Sequence, residues 1–298
     1  MDLRSAIGFG VAGNFAGHLE QAGEASDFTA VKAAENWPKG VFPFYVPRGG
    51  PHSAEEAGGS FLHVFPLSRD RIEHPGALGG APAKLQIEPE LALRCRLTYA
   101  EAAADGRRPV ADVEPTHFTA YNDCSTRRPD ATKISQKKNW GPSTKGLADD
   151  QWIALDRFEA GGVLDRFRLA CFLRRDGELH AYGEDAPVAG PDGYAAMYRP
   201  LLDWLVDRLN HQTDHGPLED LAAWLNVAGH PTEAVIAIGA TRYTDFGETT
   251  FLQPGDESIV LVYDATVHGL GEIETLADRG GDVAGQSFAR LSQAVVAR

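Results

Sequence analysis

The sequence contains few cysteines, and those it has form no recognisable pattern. Cys95, Cys124 and Cys171 are far apart, odd in number and free of any C-x-x-C spacing. Neither a disulfide framework nor a cysteine-ligated zinc cluster is therefore expected, and a reducing cytoplasm is the natural setting. Because no histidine lies in an obvious partnering motif, Cys124 is expected to be a packed thiol rather than a nucleophile.

Long apolar runs and basic side chains are also scarce. No apolar stretch approaches the ~20 residues that span a bilayer, and the glycine-rich start AIGFGVAG is short for a signal peptide. Lys and Arg together number 28 against 42 Asp and Glu, which gives a formal net charge of −14. Because nucleic acids and anionic membranes bind clustered basic residues, neither is an expected partner. The 298 residues, 43% of them hydrophobic, suffice for the core of a soluble enzyme.

Short segments rich in β-branched and aromatic residues dominate the chain and predict a β-rich α+β fold. Glycine and proline separate these segments, which are GVFPFYVP, FLHVFPL, KLQIEPELALRCRLTY, DRFRLACFLRRDG, EAVIAIGATRY and ESIVLVYDATVHGLGEIETL. Helices are predicted in only two places, at residues 194–212, which carry a stripe of leucines, and in the tail GQSFARLSQAVVAR. Strands and helices do not alternate regularly, so a doubly wound α/β fold is not expected.

Gly8, Gly10 and Gly13 have the G-x-G-x-x-G spacing of a dinucleotide-binding turn. Such a turn needs a preceding strand, a following helix and a βαβ series. Here Gly17 and Gly23 interrupt the helix that would follow, and no βαβ pattern succeeds it. These glycines are therefore expected to form a tight backbone, and NAD binding ranks last among the alternatives.

The strongest local signal for chemistry is the segment LQIEPELAL, in which Glu88 and Glu90 are two residues apart. Side chains at i and i+2 of a strand point to the same face, so one face of this strand would carry two negative charges. A hard divalent cation such as Mg²⁺, Mn²⁺ or Ca²⁺ would neutralise them through oxygen ligands. Taken alone, the same pattern also fits an exposed polar face of a strand.

Two later segments add further candidates. In FTAYNDCSTRR, Asp123 follows an apolar strand and is a candidate third carboxylate ligand, while Arg127 offers a fork for a substrate carboxylate; an ordinary turn is the alternative. In KNWGPSTKGL, Lys145 lies in a loop framed by glycine and proline, where a surface lysine is the alternative. His211 and His215 have the i,i+4 spacing of zinc ligands but lack the H-E-x-x-H glutamate, so a solvated helix end is expected there.

In this order the three segments resemble the fumarylacetoacetate hydrolase superfamily, whose pattern is an E-x-E pair, then N-D-x-S-x-R, then a lysine framed by Gly and Pro. The matching residues are Glu88, Glu90, Asn122, Asp123, Ser125, Arg127 and Lys145. The carboxy-terminal stretch AVIAIGATRYTDFGETTFLQPGDESIVLVYDATVHGLGEIETL and the amino-terminal GNFAGHLEQ, with Asn14, Phe15 and His18 in register, are also similar to the family. The resemblance spans roughly residues 8–276 at low overall identity.

The resemblance implies a mixed β-roll, with residues 1–60 as a lid or cap segment and residues 61–298 as the catalytic domain. It also implies a homodimer and a divalent cation, Mg²⁺ or alternatively Mn²⁺ or Ca²⁺, held by Glu88, Glu90 and Asp123. The implied substrate is a small-molecule carboxylate bound by Arg127, Asn122, Ser125 and Thr241. His18 would be the general base, Lys145 would stabilise oxyanion charge, and Glu20 is the remaining catalytic candidate.

Four positions depart from the family's pattern. Gln21 stands where the family's hydrolases pair the lid histidine with a glutamate, and Val46 replaces the lysine of the F-x-K-P motif, with Arg48 as a possible substitute. Arg128 and Ala240 replace an aspartate and a threonine. The leading prediction is therefore a metal-dependent C–C bond hydrolase for a 2-oxo or 1,3-dicarbonyl acid. The alternatives are a decarboxylase, isomerase or hydratase with the same metal site, and a non-catalytic carboxylate binder.

Overall fold

A computed structural model of the chain describes residues 1–28, 37–49, 60–102, 107–128, 130–279 and 287–298. The strands are β1 (Ile7–Ala12), β2 (Gly40–Tyr45), β3 (Leu67–Ser68), β4 (Arg71–His74), β5 (Ala77–Leu78), β6 (Ala81–Pro82), β7 (Leu85–Gln86), β8 (Pro89–Tyr99), β9 (Val110–Asn122), β10 (Ser125–Thr126), β11 (Lys145–Leu147), β12 (Ile153–Ala154), β13 (Phe167–Arg175), β14 (Glu178–Pro187), β15 (Glu233–Ala237), β16 (Glu257–Asp264) and β17 (Phe288–Ala297). The helices are α1 (His18–Gln21), α2 (Ser135–Lys138), α3 (Tyr198–His211), α4 (Leu221–Val227), α5 (Asp245–Thr249) and α6 (Leu270–Arg279).

The larger sheet is mixed and has eight strands in the order β2-β1-β15-β8-β9-β11-β3, with β12 paired to β9 beside this path. β1 runs parallel to β15 and β11 runs parallel to β3, whereas β8 is antiparallel to both β15 and β9. β1 and β2, which come from the first 60 residues, are therefore members of this sheet. This order places β1 and β2 near β8, the strand that begins within the E-x-E segment.

A second sheet of five strands has the order β14-β13-β16-β17-β4, and the main apolar core includes buried residues from both sheets. The rings of Phe118 on β9 and Phe167 on β13 pack edge to face across this core, with centroids 4.8 Å apart. At the end of β9 the side-chain amide of Asn122 donates hydrogen bonds to Ser258 on β16 and Gln293 on β17. The two sheets are thus joined directly beneath the end of β9, next to Asp123.

The helical predictions are confirmed at residues 194–212 and wrong in the tail. α3 occupies the first region, and Leu201, Leu205 and Leu209 on one face are buried. The tail instead forms β17, which lies between β16 and β4. The helix α6 begins within the segment ESIVLVYDATVHGLGEIETL, whose composition predicts strands and turns, so that prediction is wrong for its last residues. Within the described ranges, none of the helices has the length and apolar character needed to cross a lipid bilayer.

The glycines of the opening motif serve sheet packing. Gly8 and Gly10 lie in β1, and a Cβ atom at either would come within 2.2 Å of a ring atom of Phe44 or Phe42 on the adjacent strand β2. Only glycine allows the two aromatic rings to cover the strand in this way. Gly13 has a φ of 72° and ends the strand. The motif therefore makes close packing in a sheet rather than the strand-to-helix turn of a dinucleotide site, which agrees with the prediction.

Candidate metal centre

Three acidic side chains meet at one end of the β8–β9 hairpin. The antiparallel register pairs Pro89 with Asn122, so Glu88 and Glu90 at the start of β8 lie beside Asp123, which follows β9. The backbone amide of Asp123 donates to the carbonyl oxygen of Glu88 at 2.9 Å, which fixes this approach. One carboxylate oxygen from each of the three acids lies within 4.8 Å of the others, and all three are buried. The convergence predicted from the motifs is therefore present.

The side chains of Lys138 and Arg127 lie against this acidic triad. The ammonium group of Lys138 is 2.5 Å from Glu88 Oε2, 2.8 Å from Asp123 Oδ2 and 2.6 Å from Ser125 Oγ. Nη1 of Arg127 is 2.9 Å from Glu88 Oε1. Burial alone would raise the pKa of Glu88, but Lys138 and Arg127 outweigh burial and hold the pKa of this carboxyl below its usual range. Glu88 is therefore ionised, as a metal ligand must be.

Glu90 has a different environment from Glu88. Its Oε2 accepts a hydrogen bond from the backbone amide of Gly239 at 2.8 Å, and among the described residues it forms no ion pair. Burial and the neighbouring charge of Asp123 raise the pKa of Glu90 well above its usual value. Basic groups thus form ion pairs with Glu88 and Asp123, whereas among the described residues none lies within ion-pair distance of Glu90. This uncompensated oxygen ligand is the feature of the site that best fits a bound cation.

Lys138 was not singled out in the sequence, which pointed to Lys145 instead. Lys138 is the last residue of the short helix α2, whereas Lys145 begins β11 and is fully buried. The Lys145 ammonium donates to the backbone carbonyl oxygens of Asp123 and Cys124, and it lies 3.3 Å from Asp123 Oδ1. Lys145 therefore holds the turn that carries Asp123, while Lys138 lines the cavity beside the triad. The Lys137–Lys138 doublet just before the Gly-Pro pair was the available sequence signal.

His18 lies at the start of α1 and faces the triad. Its Nε2 is 4.0 Å from Glu88 Oε2, and its Nδ1 is buried with no hydrogen-bond partner. Burial lowers the pKa of His18, so its imidazole is neutral and able to accept a proton. Gln21, at the other end of α1, exchanges two hydrogen bonds with the backbone of Tyr243, at 3.1 and 2.9 Å. The helix that carries His18 is therefore fastened to the chain after β15.

Three of the predicted substrate-binding residues have structural partners. The Asn122 amide joins the two sheets, and its Oδ1 accepts a hydrogen bond from the backbone of Glu88 at 3.1 Å. Ser125 Oγ accepts from Lys138 and donates to the Asp123 carbonyl at 3.0 Å. The guanidinium group of Arg127 also has partners, which are Gln86, Tyr243, Glu24 and Glu88. Thr241 is buried with its hydroxyl unpartnered.

The acid that faces the cavity from the amino-terminal segment is Glu24 rather than Glu20. Glu20 is exposed, whereas Glu24 is 6% exposed and lies 2.9 Å from Arg127 Nη1. The cavity beside the triad has a volume of about 20 Å³, and its charged and polar lining consists of His18, Glu24, Glu88, Glu90, Asp123 and Lys138. A space of this size holds about one water molecule or one small ion.

The other candidates from the sequence lie outside this centre. His211 is exposed, and its Nδ1 is hydrogen-bonded to Asp207 Oδ1 at 3.0 Å. Among the described residues, neither His211 nor His215 belongs to a group of three potential metal ligands. Burial raises the pKa of Cys124 to about 12, so its thiol is protonated and unreactive near neutral pH, as predicted for a packed thiol.

The helix α2, which carries Lys138, is anchored by a buried acid. Ser135 at its start donates a hydrogen bond to Glu219 Oε1, and Glu219 Oε2 has no partner. Burial raises the pKa of Glu219 from 4.5 to about 7. A raised carboxyl pKa stabilises the fold below pH 4.5, and this contribution is lost as the pH rises to 7. A glutamine amide does not ionise, so the Glu219→Gln variant should not show this pH-dependent decrease. The decrease amounts to up to roughly 3 kcal/mol of unfolding free energy in the wild-type chain.

Urea denaturation at pH 5 and pH 8 in EDTA tests this expectation. The difference in unfolding free energy between the variant and the wild-type chain should favour the variant at pH 8 and be much smaller at pH 5. Glu101→Gln, at an exposed loop position, is the matched control and should follow the wild-type profile. Equal differences at both pH values would show that Glu219 does not titrate with folding.

Comparison with protein families identifies one match. The model of a family described as "Family of unknown function (DUF5718)" matches residues 24–295. No curated protein matches the sequence.

Solved structures similar to this chain include Cg1458 with an inhibitor, at 15% identity, with 98% of this chain and 77% of that chain covered and a TM-score of 0.52. Yeast ynq8, a fumarylacetoacetate hydrolase family protein, has 13% identity, coverage of 99% and 95%, and a TM-score of 0.47. Fumarylpyruvate hydrolase from Pseudomonas aeruginosa, solved with Mn²⁺ and pyruvate, has 12% identity, coverage of 98% and 90%, and a TM-score of 0.45. At these identities the likeness concerns the fold alone, and the predicted β-rich α+β fold with few helices is confirmed by the structure itself.

Proposed function

The chain belongs to the family of unknown function DUF5718, and we propose that it is a divalent-metal-dependent enzyme, as its resemblance to the motifs of the fumarylacetoacetate hydrolase superfamily implies. Its substrate class is a small 2-oxo or 1,3-dicarbonyl carboxylic acid, and its reaction is hydrolysis of a C–C bond. The observation that carries the proposal is the convergence of Glu88, Glu90 and Asp123 within 4.8 Å beside a cavity.

The donor set fits a hard divalent cation. Carboxylate oxygens are the ligands that Mg²⁺ and Mn²⁺ prefer, and Glu90 is the carboxyl of the triad that forms no ion pair among the described residues. Glu88, Glu90 and Asp123 would hold the ion. When bound, a divalent ion supplies Lewis-acid polarisation of a ketone oxygen. The three carboxylates and a divalent ion would carry a net charge of −1, and the ammonium group of Lys138, which contacts two of the carboxylates, would balance it. The site would therefore not repel an anionic substrate.

The chain's own side chains divide the remaining tasks. Neutral His18 is the proton acceptor, because its ring lines the cavity and its Nε2 lies 4.0 Å from Glu88 Oε2. The Lys138 ammonium lines the cavity and would stabilise negative charge that develops on the substrate. The sequence motifs predict Lys145 for this role. Arg127 is the fixed positive group for the substrate carboxylate. The burial of these groups strengthens each of the charge interactions.

Turnover measurements test the proposal. Oxaloacetate, an acylpyruvate and fumarylacetoacetate should be screened with the protein stripped by EDTA and then reloaded with Mg²⁺ or Mn²⁺. We expect activity on at least one of these acids that disappears in EDTA and returns with the metal. Tight metal-dependent binding of these acids without turnover would instead identify a carboxylate-binding protein.

A different reaction at the same site is the second candidate. The side chain of Gln21 is committed to the backbone of Tyr243, so no carboxylate from that position assists His18 in activating water. This arrangement favours decarboxylation or isomerisation of a 2-oxo acid, which need no activated water, over hydrolysis. Hydration, the remaining alternative, needs activated water as hydrolysis does. Product analysis separates the reactions, because hydrolysis takes up water and yields two carbon fragments, whereas decarboxylation releases CO₂.

A further inference from the structure

Glu24 is a buried carboxylate beside the triad that the proposed chemistry does not use. Its Oε1 lies 2.9 Å from Arg127 Nη1 and 3.4 Å from Lys137 Nζ. Burial alone would raise the pKa of Glu24, but the positive charges of Arg127 and Lys138 outweigh burial and lower the pKa, so the group is ionised. A charged carboxylate of this chain therefore lies at the edge of the cavity in which a substrate would have to bind.

The guanidinium of Arg127 is fully engaged by its own chain. Its Nε donates to Gln86 Oε1 at 2.6 Å, its Nη2 donates to the Tyr243 hydroxyl at 2.8 Å, and its Nη1 contacts Glu24 and Glu88 at 2.9 Å each. Gln86 and Glu88 belong to the β7–β8 region that forms the floor of the site, and Tyr243 follows β15. Glu24 alone comes from the short amino-terminal segment around α1, so it is the partner whose departure leaves the rest of the site intact.

Three glycines with left-handed backbone precede Glu24. Gly13, Gly17 and Gly23 all have positive φ angles, of 72°, 82° and 69°, and Gly23 immediately precedes Glu24. A Cβ atom at Gly23 would meet no atom within 4 Å, so its surroundings are open. The cavity of about 20 Å³ admits one water or ion, and a 2-oxo acid is several times larger. Movement of a side chain that lines the cavity, such as Glu24, would enlarge this space.

We propose that Glu24 is an internal substitute for the substrate carboxylate and that a 2-oxo acid binds by exchanging its own carboxylate for that of Glu24 on Arg127. The choice of a 2-oxo acid rests on the proposed function. The exchange replaces one anion by another, so Arg127 keeps two carboxylate partners, Glu88 and the incoming acid. A neutral ketone or diketone could not compensate for the loss of Glu24. The pair therefore makes a free carboxylate a requirement for entry, and Glu24 determines specificity.

Calorimetric titration of the Glu24→Gln variant tests the exchange. The probes are propionate, which has the carboxylate but no ketone, in EDTA, and pyruvate in Mn²⁺. Because the amide competes more weakly for Arg127, we expect both acids to bind about tenfold more tightly to the variant than to the wild-type chain. Asp130→Asn is the matched control, since Asp130 pairs with the adjacent Arg128 on the exposed surface, and its affinities should equal those of the wild type.

Unchanged or weaker propionate binding by Glu24→Gln would overturn the exchange. Should this variant fail to fold, Glu24→Asp keeps the charge but shortens the reach to Arg127, and it must bind propionate more tightly than the wild type does. The two proposals fail separately. If Mn²⁺ alters pyruvate binding in no variant, the metal-dependent function is wrong, whereas the exchange is decided by the propionate titration in EDTA.

Discussion

Replacing Glu90 by glutamine is expected to abolish tight binding of a divalent cation and, at the same time, to stabilise the metal-free protein. Loss of a charged ligand should weaken Mn²⁺ binding by roughly a hundredfold or more. In other metal sites, losing a residue that only hydrogen-bonds to a ligand already lowers the metal affinity by about 10- to 100-fold. The stabilisation has a separate cause. The Glu90 carboxyl is buried near Asp123 without an ion-pair partner among the described residues, and the amide removes the cost of its ionisation.

The direction of the pH dependence follows from the raised pKa of Glu90. A carboxyl with a raised pKa contributes stability that is present below pH 4.5 and is lost as the pH rises through its folded-state pKa. The stabilisation by Glu90→Gln should therefore be evident at pH 8 and small at pH 4. Thermal melting with and without Mn²⁺ measures both effects, since a ligand that binds only the folded state raises the melting temperature.

The wild-type chain should gain melting temperature with Mn²⁺ at pH 8, and Glu90→Gln should gain almost none. Glu101→Gln, at an exposed loop position, controls for the loss of one negative charge and should respond to Mn²⁺ as the wild type does. If the variant is stabilised and its melting temperature still rises with Mn²⁺ as much as that of the wild type, Glu90 is a buried structural acid and not a metal ligand. A variant that is destabilised without metal would contradict the account of its environment.

The convergence of the three acids could be predicted because it depends on local rules. Alternation along a strand places Glu88 and Glu90 on one face, and the order of the motifs suggested that Asp123 joins them. The β8–β9 hairpin register then completes the triad by pairing Pro89 with Asn122. The same rules explain why the β-rich fold was predictable, since the longest strands have the composition of strands. The acidic triad and the β-rich fold are therefore predictable, because both depend on patterns that extend over a few residues.

The tail could not be assigned correctly from its own pattern. Phe288, Leu291 and Val295 are spaced by three and four residues, which is the spacing of a helix face. In the structure this segment is β17, held between β16 and β4, and it buries Leu291, Gln293 and Val295 at every second position. The deciding interactions are backbone hydrogen bonds to strands that are distant in sequence. Tertiary pairing of this kind overrides a local period.

The basic and acidic partners of the triad were the least predictable part of the site. Lys138 and Lys145 flank the same Gly-Pro pair, and only the end of α2 and the start of β11 decide which ammonium group lines the cavity. Likewise Glu20 and Glu24 lie four residues apart, and the positive φ of Gly23 lets the chain turn Glu24 towards Arg127. Such choices depend on the geometry of short turns, which the sequence motifs do not specify.

Replacing Lys138 by methionine is expected to separate metal affinity from catalysis. The ammonium group is 2.5 Å from Glu88 and 2.8 Å from Asp123, so it competes with a cation for two of the three ligands. Its removal should tighten Mn²⁺ binding by about tenfold or more, because a positive charge so close repels the ion. The loss of its stabilisation of substrate charge should lower kcat by about a hundredfold. An enzyme that binds its metal more tightly would thus be the slower one.

Stability gives a third, independent readout of Lys138→Met. Removing one partner of a buried ion pair leaves Glu88 and Asp123 less compensated, so the metal-free variant should be destabilised by about 3–5 kcal/mol, and Mn²⁺ should restore most of that loss. Lys84→Met, at an exposed position, is the matched control and should leave affinity, kcat and the response to metal unchanged. Weaker metal binding by Lys138→Met would mean that the ammonium group positions the ligands instead of competing with the ion. Because the three readouts are predicted to move in different directions, a variant that is merely misfolded cannot reproduce them.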